Sequence, residues 1–316
     1  MFKRSRLFGL LALVAVGLLA GCGSDDSSGG GGGSSNAESE DPAALLKKAF
    51  ANPVDSGELK MEGKAEIEGS SRVSGPVSFS VEGPFKMRGR TTLPLVDWDI
   101  EVNGGGQDLS GGVVATEDNA FVKFRGQTYE VGKQLYQQFL RQQEQQSKKG
   151  PQSIKELGID PANWLEGAKV ADGESIGGSS TRKVTGKIDV EQMVDDVVDV
   201  LKNPEVREQF EGTGQDAPEI SDSDKQEAVE AVKNADIAVN VDDEDIVRKV
   251  VFSAKLDPPD GGDNGVTGGT VELSYELPKV GGAVDITAPP DAKPLALLLQ
   301  QLGLGSSLPG GGLRTQ

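Results

Sequence analysis

The sequence contains no histidine and only one cysteine, Cys22, among its 316 residues. Without histidine, a Ser-His-Asp or Cys-His catalytic centre and a zinc site with histidine ligands are excluded. A single cysteine also excludes a disulfide within the chain. Carboxylates, lysines, tyrosines and hydroxyl groups remain for catalysis. We therefore expect a non-enzymatic protein without a cofactor or metal, and an enzyme that uses carboxylates is the least favoured alternative.

Aromatic residues are scarce, at 5% of the chain, and basic residues are outnumbered by acidic ones, 32 to 50. The resulting formal net charge is −18. Such a surface repels nucleic acid and anionic lipid headgroups at long range, so we expect no nucleic-acid partner. Attachment to a membrane would then depend on acyl chains and not on a polybasic patch.

A hydrophobic run long enough to span a bilayer is missing as well. The apolar run of residues 7–20 has 14 residues, whereas a spanning helix needs about 20. It follows Lys3, Arg4 and Arg6 and ends in small residues, which is typical of a secretory signal. The sequence Leu19-Ala20-Gly21-Cys22 resembles the lipobox of bacterial lipoproteins. This resemblance implies that residues 1–21 are a signal peptide and that Cys22 is acylated, which anchors the chain on the extracytoplasmic face of the cell membrane.

Composition divides the rest of the chain into a linker, one domain and a tail. Residues 22–40 hold the lipidated cysteine and a Gly/Ser-rich segment, for which a coil predicts an end-to-end distance of about 23 Å. Residues 304–316 are again rich in glycine and are predicted to be disordered. The single candidate domain covers residues 41–303, at the upper end of single-domain size.

Strict alternation of apolar and polar residues predicts an antiparallel sheet with one face buried and the other in water. The strands are predicted at 59–67, 77–87, 98–102, 121–124, 184–190, 239–241, 246–256, 271–277 and 284–288. Short helices are predicted at 41–50, 134–148, 160–165, 191–201 and 223–234.

The apolar face of these strands carries many small and medium-sized side chains, such as Gly63, Ala65 and Val81. A sheet of this kind either fills its concave side with its own side chains or leaves space there. Empty space in a core is costly, so a preserved space indicates an apolar ligand. The residues alone leave both possibilities open.

Three segments resemble lipoproteins of the LppX/LprG type: Trp164–Asp189, Ile237–Val250 and Val284–Pro290. The likeness extends over residues 41–303. It implies an α+β fold like that of the LolA and LolB carriers, with a curved antiparallel half-barrel sheet and helices covering its concave side. It also implies an apolar cavity that accepts acyl chains of lipids or lipoglycans, and a role in lipid transport or presentation in the cell envelope.

Seven apolar residues are the candidates for lining such a cavity: Phe79, Val81, Trp98, Ile100, Phe121, Val250 and Phe252. The alternative is a structural or interaction lipoprotein with a filled core, which acts through a protein partner. The acidic run from Asp242 to Asp245 is interpreted as a solvated turn in preference to a cation site. No residue is assigned a catalytic role.

Overall fold

The structure is a computed structural model that describes residues 40–69, 75–89, 92–147, 161–204, 206–207, 220–258 and 265–304. The predicted signal peptide, Cys22, the predicted linker up to residue 39 and the chain from residue 305 lie outside the described residues. Within this part of the chain, no helix is both long enough and apolar enough to cross a membrane.

Twelve strands form one open sheet in the order β12-β6-β5-β4-β3-β2-β1-β11-β10-β9-β8-β7. All neighbours pair antiparallel except β12 and β6, which pair parallel. The strands are β1 Ser56–Glu68, β2 Val77–Lys86, β3 Leu95–Gly104, β4 Gln107–Ala115, β5 Ala120–Phe124, β6 Gln127–Glu130, β7 Leu165–Asp172, β8 Thr181–Ile188, β9 Val232–Asp242, β10 Val247–Leu256, β11 Gly268–Val280 and β12 Lys293–Pro294.

One row of directly opposed residues shows that one face of the sheet is largely apolar. Residues directly opposed in antiparallel strands project to the same face. One such row runs through Val170, Val184, Val239, Val250, Tyr275, Met61, Val81, Ile100, Gly111 and Phe124. We call the face that carries this row the inner face and the opposite one the outer face.

Helices cover the inner face over strands β7–β11. They are α1 Pro42–Phe50, a 3₁₀ turn Pro161–Trp164, α3 Val190–Lys202 and α4 Asp222–Ala231. Of the other two helices, α2 Lys133–Ser147 follows β6 in the chain, and α5 Leu295–Gln301 packs beside β6, where Gln301 accepts a hydrogen bond from the buried Tyr129 hydroxyl at 3.1 Å. The apolar stripes of α1, α3 and α4 join the inner-face residues of β7–β10 in one large buried cluster. Asp189 begins α3 by accepting a hydrogen bond from the Gln192 backbone amide at 3.0 Å.

A second buried cluster closes the inner face at one end of β1–β3 and β11. Its core consists of Leu59, Phe85, Val96 and Leu277. This end of the sheet also carries Glu40 and the β9–β10 turn, so we call it the Glu40 end. The opposite end carries the β3–β4 turn at Gly105 and is called the Gly105 end.

Two elements predicted from the sequence differ in the structure. Residues 284–288 form no strand and pair with none. They belong to the segment that connects β11 with β12, and β12 is the edge strand of the sheet. The helix predicted at 223–234 ends at Ala231, because Val232 already belongs to β9 and pairs with Leu256.

Charged side chains at the Glu40 end are paired. Asp242, which is almost fully buried, lies 3.3 Å from the buried Arg248 guanidinium. Arg182 donates to both carboxylate oxygens of Glu40, at 2.7 and 2.9 Å, and to Asp245 at 2.8 Å. The prediction of a solvated acidic turn is therefore wrong for Asp242 and Asp245, since burial of these carboxylates requires the cationic partners that they have.

Candidate apolar binding surface

The inner face changes from covered to uncovered along a second cross-strand row. This row runs through Ile237, Phe252, Leu273, Gly63, Phe79, Val102 and Leu109. Ile237 and Phe252 lie under the helices and are 8% and 6% exposed, whereas Val102 and Leu109 are 39% and 44% exposed. The helices therefore leave the β2–β4 part of the inner face open to solvent.

Five apolar side chains form this open area, which we call the uncovered patch: Phe79, Val81, Ile100, Val102 and Leu109. Phe79, Val81 and Ile100 are partly buried, and none of the five belongs to either buried cluster of the described residues. The patch lies between the second cluster and the Gly105 end. A contiguous exposed apolar area on a sheet is typical of a binding surface.

Close contact between strands shapes the floor of the uncovered patch. A Cβ atom on Gly63 would lie 2.2 Å from Cε1 of Phe79, so the Phe79 ring occupies the space that a side chain at position 63 would fill. Any larger residue at position 63 would push the ring out of the face. The small residue predicted at this position thus serves the packing of an aromatic neighbour.

Six of the seven predicted cavity residues lie on the inner face, in two groups. Phe79, Val81 and Ile100 are in the uncovered patch, and Trp98 borders it next to the second cluster. Val250 and Phe252 belong instead to the helix-covered cluster. The sheet brings the two groups onto one surface, with β1 and β11 between them.

Phe121 lies on the other side of the sheet. It is directly opposed to Val114, whereas Trp98 is opposed to Val113, so the two aromatic side chains project to opposite faces. Phe121 is nevertheless buried. The patch instead includes Val102 and Leu109, neither of which was among the seven candidates predicted from the sequence. The alternation of β3, with Ile100 followed by Val102, was the signal for Val102.

The outer face behind the uncovered patch is polar and tied together by ion pairs. Lys123 donates to Asp97 at 2.6 Å and to Asp99 at 2.8 Å, which connects β5 with β3. Partial burial by itself would lower the pKa of Lys123, but the hydrogen bonds to Asp97 and Asp99 outweigh this effect and raise it. On the outer side, these strands thus carry charged side chains behind the patch, next to the buried Val114 and Phe121.

A groove of about 460 Å³ lies on the outer face of β7–β10. Its polar lining includes Lys187 and Asp236, which oppose each other across β8 and β9. A bulge in β7 at Gly167, where φ is +61°, borders it. Among the described residues, no group of three or more acidic side chains is arranged to hold a metal ion.

Comparisons with known proteins gave similarities of structure only. No family model matches the sequence, and no curated protein matches it either. The structure is similar to LprF from Mycobacterium bovis, with 14% identity, a TM-score of 0.40, and coverage of 78% of this chain and 96% of that one. It is also similar to the Mycobacterium tuberculosis lipoprotein LppX, with 10% identity, a TM-score of 0.35, and coverage of 78% and 98%.

A third similar structure is a DUF1329 family protein from Desulfovibrio piger, with 8% identity and a TM-score of 0.19 over 74% of this chain and 90% of that one. LppX, which belongs to the lipoprotein type that the sequence resembles, is thus among the similar structures. The open sheet with helices on one face, which the same resemblance implied, is confirmed by the structure itself.

Proposed function

We propose that this chain is a lipid-anchored protein of the cell envelope that binds acyl chains of lipids or lipoglycans on its inner face, for their transport or presentation. The observation that carries the proposal is the uncovered patch, where apolar side chains of adjacent strands remain exposed beside a face that helices otherwise cover. Removing an acyl chain from water contributes about 0.8 kcal/mol for each buried CH₂ group, so apolar contact alone supplies affinity.

The alternative, a filled sheet that acts through a protein partner, expects helices or side chains over the whole inner face. That expectation fits β7–β10 but does not fit Val102 and Leu109. Acylation of Cys22 would keep the patch within reach of a bilayer. Residue 22 and the linker lie outside the described residues, so the anchor is supported by the sequence pattern alone.

The test uses the chain from residue 22 onward with Cys22→Ser, which retains every described residue. Native mass spectrometry should detect co-purified lipid, and a fluorescent fatty acyl ester should bind. Ile100→Gln should weaken binding of this probe several-fold, because it introduces an amide into the uncovered patch. Glu101→Gln, on the outer face of the same strand, is the matched control and should bind like the unchanged protein. Absence of both co-purified lipid and probe binding would refute the proposal.

A further inference from the structure

The two tryptophans of the chain differ in how their indole N–H groups are satisfied. Trp164 Nε1 donates to a carboxylate oxygen of Asp196 at 2.6 Å. Trp98 Nε1 is buried and has no hydrogen-bond partner among the described residues. Buried polar groups in proteins nearly always have a partner, so an orphaned donor needs an explanation. A bound molecule with an acceptor would provide one.

Trp98 lies where a molecule on the uncovered patch would meet the second cluster. It is on the inner face of β3, two residues from Ile100 of the patch, and its ring packs against the second cluster. Gly83 allows β2 to approach it closely, since a Cβ at this position would lie 3.2 Å from the Trp98 Cα. The Trp98 side chain therefore lies at the inner boundary of the patch, and its indole N–H is enclosed there.

The surroundings of Trp98 on the inner face define which acceptor fits. Its cross-strand neighbour is Val113, and its neighbours on the same face of β3 are Val96 and Ile100. These side chains are all apolar. An ionised carboxylate placed there would lose its hydration and gain no cation in return, which is strongly unfavourable. A neutral carbonyl oxygen needs one donor, and Trp98 supplies one.

We propose that Trp98 is a specificity-determining residue whose indole N–H donates a hydrogen bond to the ester carbonyl of an acyl lipid bound on the uncovered patch. The ligand class is then a neutral acyl ester, in preference to a free fatty acid or a hydrocarbon. This inference rests on the proposed function, because it requires that acyl chains bind to the patch.

Indole resonances in ¹H–¹⁵N spectra of the Cys22→Ser chain test the contact directly. Because the chain has only two tryptophans, Trp164→Phe assigns the remaining signal to Trp98. Methyl palmitate should move the Trp98 signal downfield, as expected for a new hydrogen bond, whereas hexadecane should bind without that shift. Equal spectra with both ligands would overturn the inference and leave the proposed function intact. Binding of neither ligand would refute both.

Affinities provide the second measurement. Loss of one neutral hydrogen bond corresponds to an affinity loss of about three- to tenfold. Trp98→Phe should therefore weaken the binding of methyl palmitate by about this factor and leave the affinity for hexadecane nearly unchanged. Trp164→Phe should change neither affinity. Equal weakening of both ligands by Trp98→Phe would mean that the ring only packs. A Trp98 signal that already reports a bonded N–H before any lipid is added would mean that water satisfies it, which also contradicts the inference.

Discussion

Asp245 lies between two cations at the Glu40 end. Lys48 contacts it at 2.5 Å and Arg182 at 2.8 Å. Burial alone would raise the pKa of Asp245, but the hydrogen bonds from Lys48 and Arg182 outweigh burial and hold the pKa below its usual value. The carboxylate of this residue consequently joins α1, β8 and the β9–β10 turn.

Replacing this carboxylate should make the protein less stable and less sensitive to acid. A pKa that is lower in the folded state means that Asp245 stabilises the fold above its unfolded pKa of about 3.9, and that this contribution disappears as the pH falls through the folded pKa. Asp245→Asn should lower the free energy of unfolding at pH 7 by about 2 kcal/mol. The difference from the unchanged protein should vanish at low pH, as measured by urea unfolding from pH 7 to 2.

The control is Asp243→Asn, because Asp243 lies in the same turn but is exposed. Its stability should follow that of the unchanged protein at every pH within about 0.5 kcal/mol. A stability difference for Asp245→Asn that persists undiminished to pH 2 would show that the side chain acts through packing and not through its charge.

Helix α3 is the element that contributes the longest apolar stripe to the covered half of the inner face. Met193, Val194, Val197, Val198 and Leu201 are all buried there. Met193→Ala should lower the free energy of unfolding by about 2–5 kcal/mol, because it leaves a cavity beneath the helix. Asp199→Ala, on the exposed side of α3, should change it by less than about 0.5 kcal/mol. Thermal or urea unfolding distinguishes the two; equal effects would contradict the assigned stripe.

Strong alternation made most central strands predictable. The strand predicted at 59–67 is confirmed as part of β1, where pairing with β2 and β11 holds one face toward the core. Strands β4, β6, β7 and β12 were not predicted. The first half of β4, from Gln107 to Ser110, is exposed, and β6 and β12 are only four and two residues long. Such segments form strands because they pair with an adjacent strand, and this pairing is not visible in the local sequence pattern.

Strand β9 shows how two periodicities overlap. Ala228 and Val232 fit the helical stripe predicted at 223–234, but Ala235, Ile237 and Val239 alternate and are buried on one side of the sheet, and Val232 precedes them across a bulge. Pairing with β10 along this segment decides in favour of the strand. A similar limit applies to the candidate site. Alternation predicts which face of the sheet a side chain lies on, but the packing of the helices determines which part of that face is left uncovered.

At the scale of the whole molecule, Glu40, the first described residue after the linker, and the uncovered patch lie toward opposite ends of the sheet. Glu40 is held by Arg182 at one end, and Val102 lies near the β3–β4 turn at the other. Strand β1, with 13 residues, gives the sheet a length of about 43 Å. The chain from Cys22 to Glu40 reaches about 60 Å when fully extended. If Cys22 is acylated, the Gly105 end is therefore able to contact the membrane that holds the anchor.

Shortening the linker should remove this ability without changing the binding surface. Deletion of Ser27–Asn36 leaves a reach of about 27 Å, less than the length of the sheet. The anchored variant in liposomes should then fail to take up a fluorescent acyl ester from its own bilayer, while the chain carrying the same deletion and Cys22→Ser should bind the soluble probe with unchanged affinity. A variant in which these ten residues are scrambled keeps the reach and should take up lipid normally. Undiminished uptake by the deletion variant would mean that lipid enters from the Glu40 end.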